Sequence, residues 1–166
     1  PFEDLMTALT IGFFDGVHLG HQNLLKRLRE QAHATILTFS THPQAVIKPP
    51  APPILIPLEE KIALLKQYAD EVIVLPFTQE FASTPYDKLL DQFELTHLIL
   101  GANSVFGNNR EGNEANVRDY GNQHGIQVEF IQKVLFRNEP ISSSRIRQAL
   151  AVGDVNLAHQ LLGRKL

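Results

Sequence analysis

Residues 11–21 read IGFFDGVHLGH, and they join a short apolar run to a segment with helical periodicity. Gly12 and Gly16 follow the apolar run, where glycine permits a tight turn and lets the backbone approach a ligand closely. His18 and His21 are three residues apart at the predicted helix start, so their side chains project from the same side. A helix N-terminus offers unpaired N–H groups and a positive dipole end to phosphate. This stretch therefore predicts a strand, a glycine turn and a phosphate-binding helix start.

Strand and helix signals alternate along the rest of the chain. Short apolar, β-branched runs predict five strands, at residues 9–14, 35–39, 71–75, 97–100 and 126–131. Helical periodicity predicts helices at residues 22–34, 57–68, 85–93 and 114–124. This alternation predicts an α/β, Rossmann-like fold with a doubly wound parallel sheet of about five strands. Ligands bind such sheets at the carboxyl ends of the strands.

We expect a single domain spanning residues 1–166, closed by two short helices. Ser142 or Ser143 is the expected N-cap of the first, which Gly153 ends, while Asp154 caps the second and Gly163 ends it. Residues 48–53 read KPPAPP, which excludes a helix interior or a central strand. A stiff surface loop is the expectation there, with a partner-binding polyproline segment as the alternative.

Composition excludes several classes of function. A net charge of -3 gives no basis for broad binding to nucleic acid or to an anionic membrane. The absence of cysteine excludes disulfides, thiolate catalysis and cysteine-based zinc sites. No apolar run reaches the ~18 residues that span a bilayer, and no signal peptide precedes the first strand. We therefore expect a cytoplasmic protein, although the chain begins at Pro1 and the natural start can lie upstream.

A second phosphate-type helix start lies near the other end of the chain. Residues 141–147 read ISSSRIR after Pro140, so hydroxyl and guanidinium groups gather where another helix begins. Such groups bind terminal phosphates, and arginine does so in a bidentate manner. A plain N-cap with surface arginines explains this stretch alone equally well. Together with residues 11–21 it predicts a clamp for a polyphosphate.

The two histidines have competing interpretations. A metal-binding pair is one, but the sequence places no third ligand and we expect no protein-bound metal. Structural polar residues at a helix start are another. For Asp15, a turn residue and a functional residue are equally supported.

Several motifs together resemble a known family. His18-Leu-Gly-His21 resembles the HxGH signature of nucleotidyltransferases, which share a Rossmann-like fold. Residues 12–21 together with 141–147 resemble, more narrowly, the adenylyltransferase module of bacterial bifunctional riboflavin kinase/FAD synthetases. Further matching stretches lie at residues 37–43, 75–82, 106–112 and 161–164.

This resemblance implies transfer of AMP from ATP to FMN with Mg²⁺, giving FAD and pyrophosphate. It places Gly12, Phe13, Phe14 and Gly16 along the nucleotide, and His18, His21, Ser143, Ser144 and Arg147 at its phosphates. Of these, His18, His21 and Arg147 are the expected catalytic residues. Asn103 and His42 are the expected contacts of the flavin and its phosphate.

Departures from the family pattern keep alternatives open. Ser104 stands where the family usually has an aromatic residue, Ser40 and Thr41 where it prefers an acidic residue and proline, and Ser144 where threonine is usual. The riboflavin kinase module that follows in the family is not in this chain. The alternatives are another HxGH enzyme, such as one acting on phosphopantetheine, and a non-catalytic nucleotide- or flavin-binding module.

Overall fold

The computed structural model describes residues 6–166. Five parallel strands form the central sheet in the order β3-β2-β1-β4-β5. They are β1 (Thr7–Ile11), β2 (Ala34–Phe39), β3 (Glu71–Leu75), β4 (Leu95–Gly101) and β5 (Gln127–Ile131). The predicted doubly wound parallel sheet is confirmed.

Eight helices accompany the sheet within the described residues. They are α1 (Leu19–Arg29), α2 (Gln44–Ile47), α3 (Leu58–Leu65), α4 (Gln79–Ala82), α5 (Tyr86–Leu90), α6 (Glu114–His124), α7 (Ser143–Ala151) and α8 (Val155–Leu162). Successive side chains of each strand point to opposite faces of the sheet. One set is buried against α1 and α3, and the other set is buried against α5 and α6. Ala8 and Ile36 belong to the first core, and Leu9 and Leu37 to the second.

The two tail helices have a small core of their own. Ile146 of α7 packs against Leu161 and Leu162 of α8, and this core reaches Leu19 at the start of α1. Ser142 caps α7 and Asp154 caps α8, as predicted. The tail helices therefore bring the second sequence motif beside the first.

The predicted boundaries were wrong in two places near the site. The strand predicted over residues 9–14 ends at Ile11, and it cannot extend to Phe14 because that residue has a positive φ of 58°. The helix predicted over residues 22–34 begins earlier, at Leu19, because the His18 side chain caps it. It ends at Arg29, and Ala34 belongs to β2.

Short elements lay outside the sequence predictions. These are α2, α4, a 3₁₀ helix at Asn108–Arg110, and a hairpin of β6 (Leu135–Phe136) and β7 (Glu139–Pro140). No regular element occupies the proline-rich residues 48–53, as predicted. Within residues 6–166, none of the helices has the length and apolarity that crossing a bilayer requires.

Candidate active site

A polar cavity lies where the strand order reverses, between the carboxyl ends of β1 and β4. Its volume is about 320 Å³. Ligands of open α/β sheets bind at such a switch point. Its walls come from residues 11–14, 18–24, 101–104 and 131–134 and from the start of α7, and they include Gly12, Phe13, Phe14, His18, Gly20, His21, Ser104, Lys133 and Ser143.

The two histidines form a rigid stacked pair at the start of α1. Their ring centroids are 3.6 Å apart and the planes differ by 16°. The His21 backbone N–H donates to Nδ1 of His18 at 3.2 Å, and the His18 N–H donates to Nδ1 of His21 at 3.3 Å. This reciprocal capping fixes the orientation of both rings. Because each Nδ1 is an acceptor, the proton of each neutral ring is on Nε2, which is left to donate to a ligand.

Burial disfavours the protonated form of both imidazoles. Burial lowers the pKa of His18 to about 4, and the nearby Arg164 cation acts in the same direction. Burial also lowers the pKa of His21 well below its ordinary value, helped by His18, Lys61 and Arg164. His18 is buried, with only 5% of its surface exposed. The pair therefore offers N–H donors rather than fixed cations.

Glycine at position 20 is a steric requirement of this pair. A Cβ there would lie 2.9 Å from Cε1 of His18. One side chain from the tail and one from α1 hold the preceding turn. Nη1 of Arg164 donates to the carbonyl of Val17 at 3.0 Å, and Nε2 of Gln22 donates to the same oxygen at 2.9 Å. The histidines thus stand on a turn braced by α1 and by the tail.

An aromatic cavity adjoins the polar one. Its volume is about 380 Å³, and its walls include Phe39, Ile47, Phe77, Phe81, Val105, Phe106 and Arg110. Phe39 contacts Phe77 and Phe81 with ring centroids 5.1 Å apart in each pair. Ile11, Gly12, Phe13 and Ser104 line both cavities and form a shared wall, so ligands in the two cavities would contact the same residues and lie side by side.

A buried ion pair joins the two sequence motifs. Nη2 of Arg147 lies 2.5 Å from Oδ2 of Asp15, whose side chain is 3% exposed. The Leu55 N–H donates to the same carboxylate at 3.0 Å, and Nε of Arg147 donates to the carbonyl of Pro53 at 2.7 Å. Oγ of Ser143 donates to the Asp15 carbonyl at 2.9 Å. Asp15 therefore ties α7 and the proline-rich loop to the glycine turn.

Comparison with known proteins identifies the family. The family model described as FAD synthetase matches residues 3–145. The chain belongs to the FAD synthetase family. A bifunctional riboflavin kinase/FMN adenylyltransferase of Haemophilus influenzae is 38% identical over 95% of this chain and 55% of its own length. A FAD synthetase of Listeria monocytogenes is 31% identical over 98% of this chain and 71% of its own length. The chain spans about half the length of the bifunctional relatives it matches.

Solved structures share the fold of this FAD synthetase family member. A Streptococcus pneumoniae structure described as a macrolide-efflux protein superposes with a TM-score of 0.84 at 25% identity. The superposition covers 98% of this chain and 58% of the Streptococcus pneumoniae chain. A lipopolysaccharide core biosynthesis protein of Thermoplasma volcanium gives a TM-score of 0.51 at 17% identity, with 79% of this chain and 98% of that one covered. These likenesses concern the fold.

The predicted nucleotide contacts fall into two groups. Gly12, Phe13, Phe14, His18, His21 and Ser143 line the polar cavity. Gly16, Ser144 and Arg147 lie outside its walls. Gly16 has φ 85° and packs against Leu55, while Ser144 is exposed at the first turn of α7. Arg147 is connected to the glycine turn of the site by its ion pair with Asp15.

The predicted flavin contacts stand beside the aromatic cavity rather than in its walls. His42 packs its ring 4.7 Å from that of Phe13, and its neighbour Pro43 lines the cavity. Burial and the nearby Arg147 cation lower the pKa of His42. Asn103 is exposed, with a positive φ of 63°, and its neighbour Ser104 lines both cavities.

Sequence reasoning missed Lys61, which is 2% exposed under the shared wall. Its spacing from apolar residues of the same helix indicated that it is buried. It lies three residues after Leu58 and four before Leu65, on the buried stripe of α3. The charge run of Glu59, Glu60 and Lys61 concealed this stripe because such runs usually face solvent.

A protein-held metal finds no ligand set in this site. Among residues 6–166, no three His, Asp or Glu side chains gather closely enough to hold an ion. The Asp15 carboxylate is occupied by Arg147 and Leu55. A divalent ion at this site would depend on ligands that a bound nucleotide brings.

Proposed function

We propose that this domain transfers AMP from ATP to FMN, giving FAD and pyrophosphate. The observation that carries the proposal is a polar cavity with two aligned Nε2–H donors beside an aromatic cavity, the two sharing the Gly12–Phe13 wall. A nucleotide fits the first by its phosphates, and the isoalloxazine ring fits the second by aromatic contact. The relatives named FMN adenylyltransferase and FAD synthetase support the same pair of substrates.

In this proposal, a phosphate oxygen of FMN attacks the α-phosphorus of ATP. A new P–O bond forms as the bond from the α-phosphorus to the bridging oxygen breaks, and the electron pair leaves with pyrophosphate. Nε2–H of His18 and of His21 donates to the phosphate oxygens on which charge develops. Fixed donors of this kind stabilise the transition state without reorganising. No covalent intermediate on the protein is needed, because positioning and charge stabilisation supply most phosphoryl-transfer catalysis.

Ser143, Ser144 and Arg147 are proposed contacts of the departing pyrophosphate. Ser143 is already at the cavity wall, and the first-turn N–H groups of α7 lie beside it. Arg147 is paired with Asp15 in this structure, so it would exchange that partner for phosphate. Mg²⁺, when bound with the nucleotide, would neutralise phosphate charge and would be coordinated mainly by phosphate oxygens.

The proposal extends to the cellular context of the domain. The bifunctional relatives carry a riboflavin kinase activity in their names, and this chain matches about half of each. We propose that a kinase module accompanies this domain in the full-length protein, and that the protein acts in the cytoplasm. Nucleic acid and membranes are not among its proposed partners.

Product identification tests the proposal against its alternatives. The purified chain would be incubated with ATP, Mg²⁺ and either FMN or 4′-phosphopantetheine, and the products separated by chromatography. We expect FAD and pyrophosphate with FMN only. A dephospho-coenzyme A product would move the protein to another branch of the superfamily. Binding of FMN and ATP without turnover would favour a non-catalytic module.

A further inference from the structure

Lys61 is a buried cation that the proposed chemistry does not use. It lies in the first half of α3, where the neighbouring Glu59 and Glu60 are exposed, as is Lys66 at the C-cap of this helix. Only 2% of its surface is accessible, although an ammonium group loses much hydration energy on burial. Burial lowers its pKa to about 8, with Asp15 opposing this shift. An apolar side chain of the same length would fill this space at less desolvation cost.

The ammonium group joins the ends of two strands. Nζ donates to the carbonyl of Phe13 at 2.9 Å and to the carbonyl of Phe39 at 2.8 Å. It also lies 3.8 Å from the centroid of the Phe13 ring, within cation–π distance. Phe39 is the last residue of β2, and Phe13 lies two residues past the end of β1. Lys61 therefore links the end of β2 to the backbone that follows β1, at the point where the chain turns away from the sheet.

The bridged residues are walls of the two ligand cavities. Phe13 lines both cavities, and Phe39 lines the aromatic one. A shift of the Phe13 peptide would move the surface against which both ligands rest. It would change the separation between the ligands more than the fit of either ligand alone.

We propose that Lys61 is a positioning residue, which sets the relative placement of the two substrates by fixing the backbone of Phe13 and Phe39. This inference rests on the proposed function, since it assumes that both cavities are filled during turnover. It assigns Lys61 no contact with the reacting atoms. A misplacement of ~1 Å between reacting groups can slow a reaction by ~10²-fold, so the cost of losing Lys61 falls on the chemical step.

The main test compares Lys61→Met with Lys66→Met. Methionine keeps an unbranched chain of similar length but cannot donate to either carbonyl. We expect kcat to fall by about 10- to 100-fold in Lys61→Met, while the separately measured dissociation constants of ATP and FMN stay within about threefold. Lys66 is the exposed C-cap residue of α3, so Lys66→Met is expected to match the wild type in kcat and in both dissociation constants.

A second variant removes another hydrogen bond to the Phe13 carbonyl, with little risk to folding. Oγ1 of Thr38 donates to the Phe13 carbonyl at 3.0 Å, and Thr38→Val removes this donor with almost no change of volume. We expect a smaller fall in kcat, of about three- to tenfold, with both ligand affinities kept. Thermal unfolding of each variant confirms that the folded protein is being assayed.

The outcomes separate this inference from the proposed function. A wild-type protein that makes no FAD refutes the proposed function itself. If the wild type makes FAD, unchanged kcat in folded Lys61→Met overturns the positioning role, whatever the result for Thr38→Val. A loss confined to the affinity for one substrate also overturns it, because Lys61 would then serve one cavity alone. If Lys61→Met does not fold, the kcat and affinities of Thr38→Val decide the question.

Discussion

Replacing Arg147 with alanine should destabilise the fold as well as impair the site. The change removes the guanidinium from a side chain that is 15% exposed and leaves the Asp15 carboxylate, which is 3% exposed, without its cation. Breaking a buried pair from one side costs ~3–5 kcal/mol. Because the Leu55 N–H still donates to Asp15, we expect the lower end, about 3 kcal/mol.

The expected loss is large enough to measure by thermal unfolding. For a domain of this size, each kcal/mol lowers Tm by about 2–4 °C, so Arg147→Ala should unfold about 6–12 °C below the wild type. Urea unfolding at neutral pH gives the free energy directly. The double variant with Asp15→Asn should recover part of the loss, since the neutral amide has a smaller desolvation cost.

A surface ion pair provides the control. Nη1 of Arg29 lies 3.4 Å from Oδ1 of Asp70, and their side chains are 52% and 40% exposed. Arg29→Ala should therefore change the unfolding free energy by less than about 1 kcal/mol. An Arg147→Ala variant as stable as Arg29→Ala would refute the reasoning, because the Asp15 pair would then contribute nothing to the fold.

Four further expectations concern the ligands and pH. His21→Ala should lower kcat/KM by at least ~10²-fold, the cost of one fixed donor, and activity within a few-fold of the wild type would remove His21 from the mechanism. Arg147→Ala should weaken ATP binding, measured by calorimetry, while FMN binding, followed by flavin fluorescence, stays nearly unchanged. A variant that loses FMN binding and keeps ATP binding would show that the two substrate sites are assigned the wrong way round. Ser104→Phe should tighten FMN binding about two- to tenfold, because it adds a ring at the aromatic cavity, and ATP affinity should change less than FMN affinity although Ser104 also lines the polar cavity. The pKa of His18 falls from 6.5 to about 4 on folding, so the unfolded chain binds more protons between these values. The unfolding free energy should therefore fall as pH drops from about 6.5 towards 4, and His18→Gln should reduce this dependence in urea titrations, leaving the part that His21 contributes.

The sequence predicted the sheet because its signals are local and repeated. Short apolar runs separated by helical periods specify a doubly wound sheet, whatever the details of each boundary. The same local character explains the errors at residues 9–14. Phe13 and Phe14 extend the apolar run, but the positive φ of Phe14 depends on packing in the core that the run itself does not encode.

The histidine pair was predictable and its electrostatics were not. The spacing of His18 and His21 fixes a common face, whereas their lowered pKa values depend on burial and on Lys61 and Arg164, which lie far away in the chain. The partner of Arg147 was likewise hidden, since Asp15 lies 132 residues earlier. Sequence patterns identify chemical groups, and tertiary contacts decide which of them are free to meet a ligand.

A crystal structure with FMN and a non-hydrolysable ATP analogue bound together is the most direct test. We expect the nucleotide phosphates within hydrogen-bond distance of Nε2 of His18 and His21. We expect the isoalloxazine ring among Phe39, Phe77 and Phe106, with the FMN phosphate next to the α-phosphate where the two cavities meet at Gly12 and Phe13. A flavin bound outside the aromatic cavity, or a nucleotide whose phosphates lie away from both histidines, would contradict the proposed placement of the two substrates.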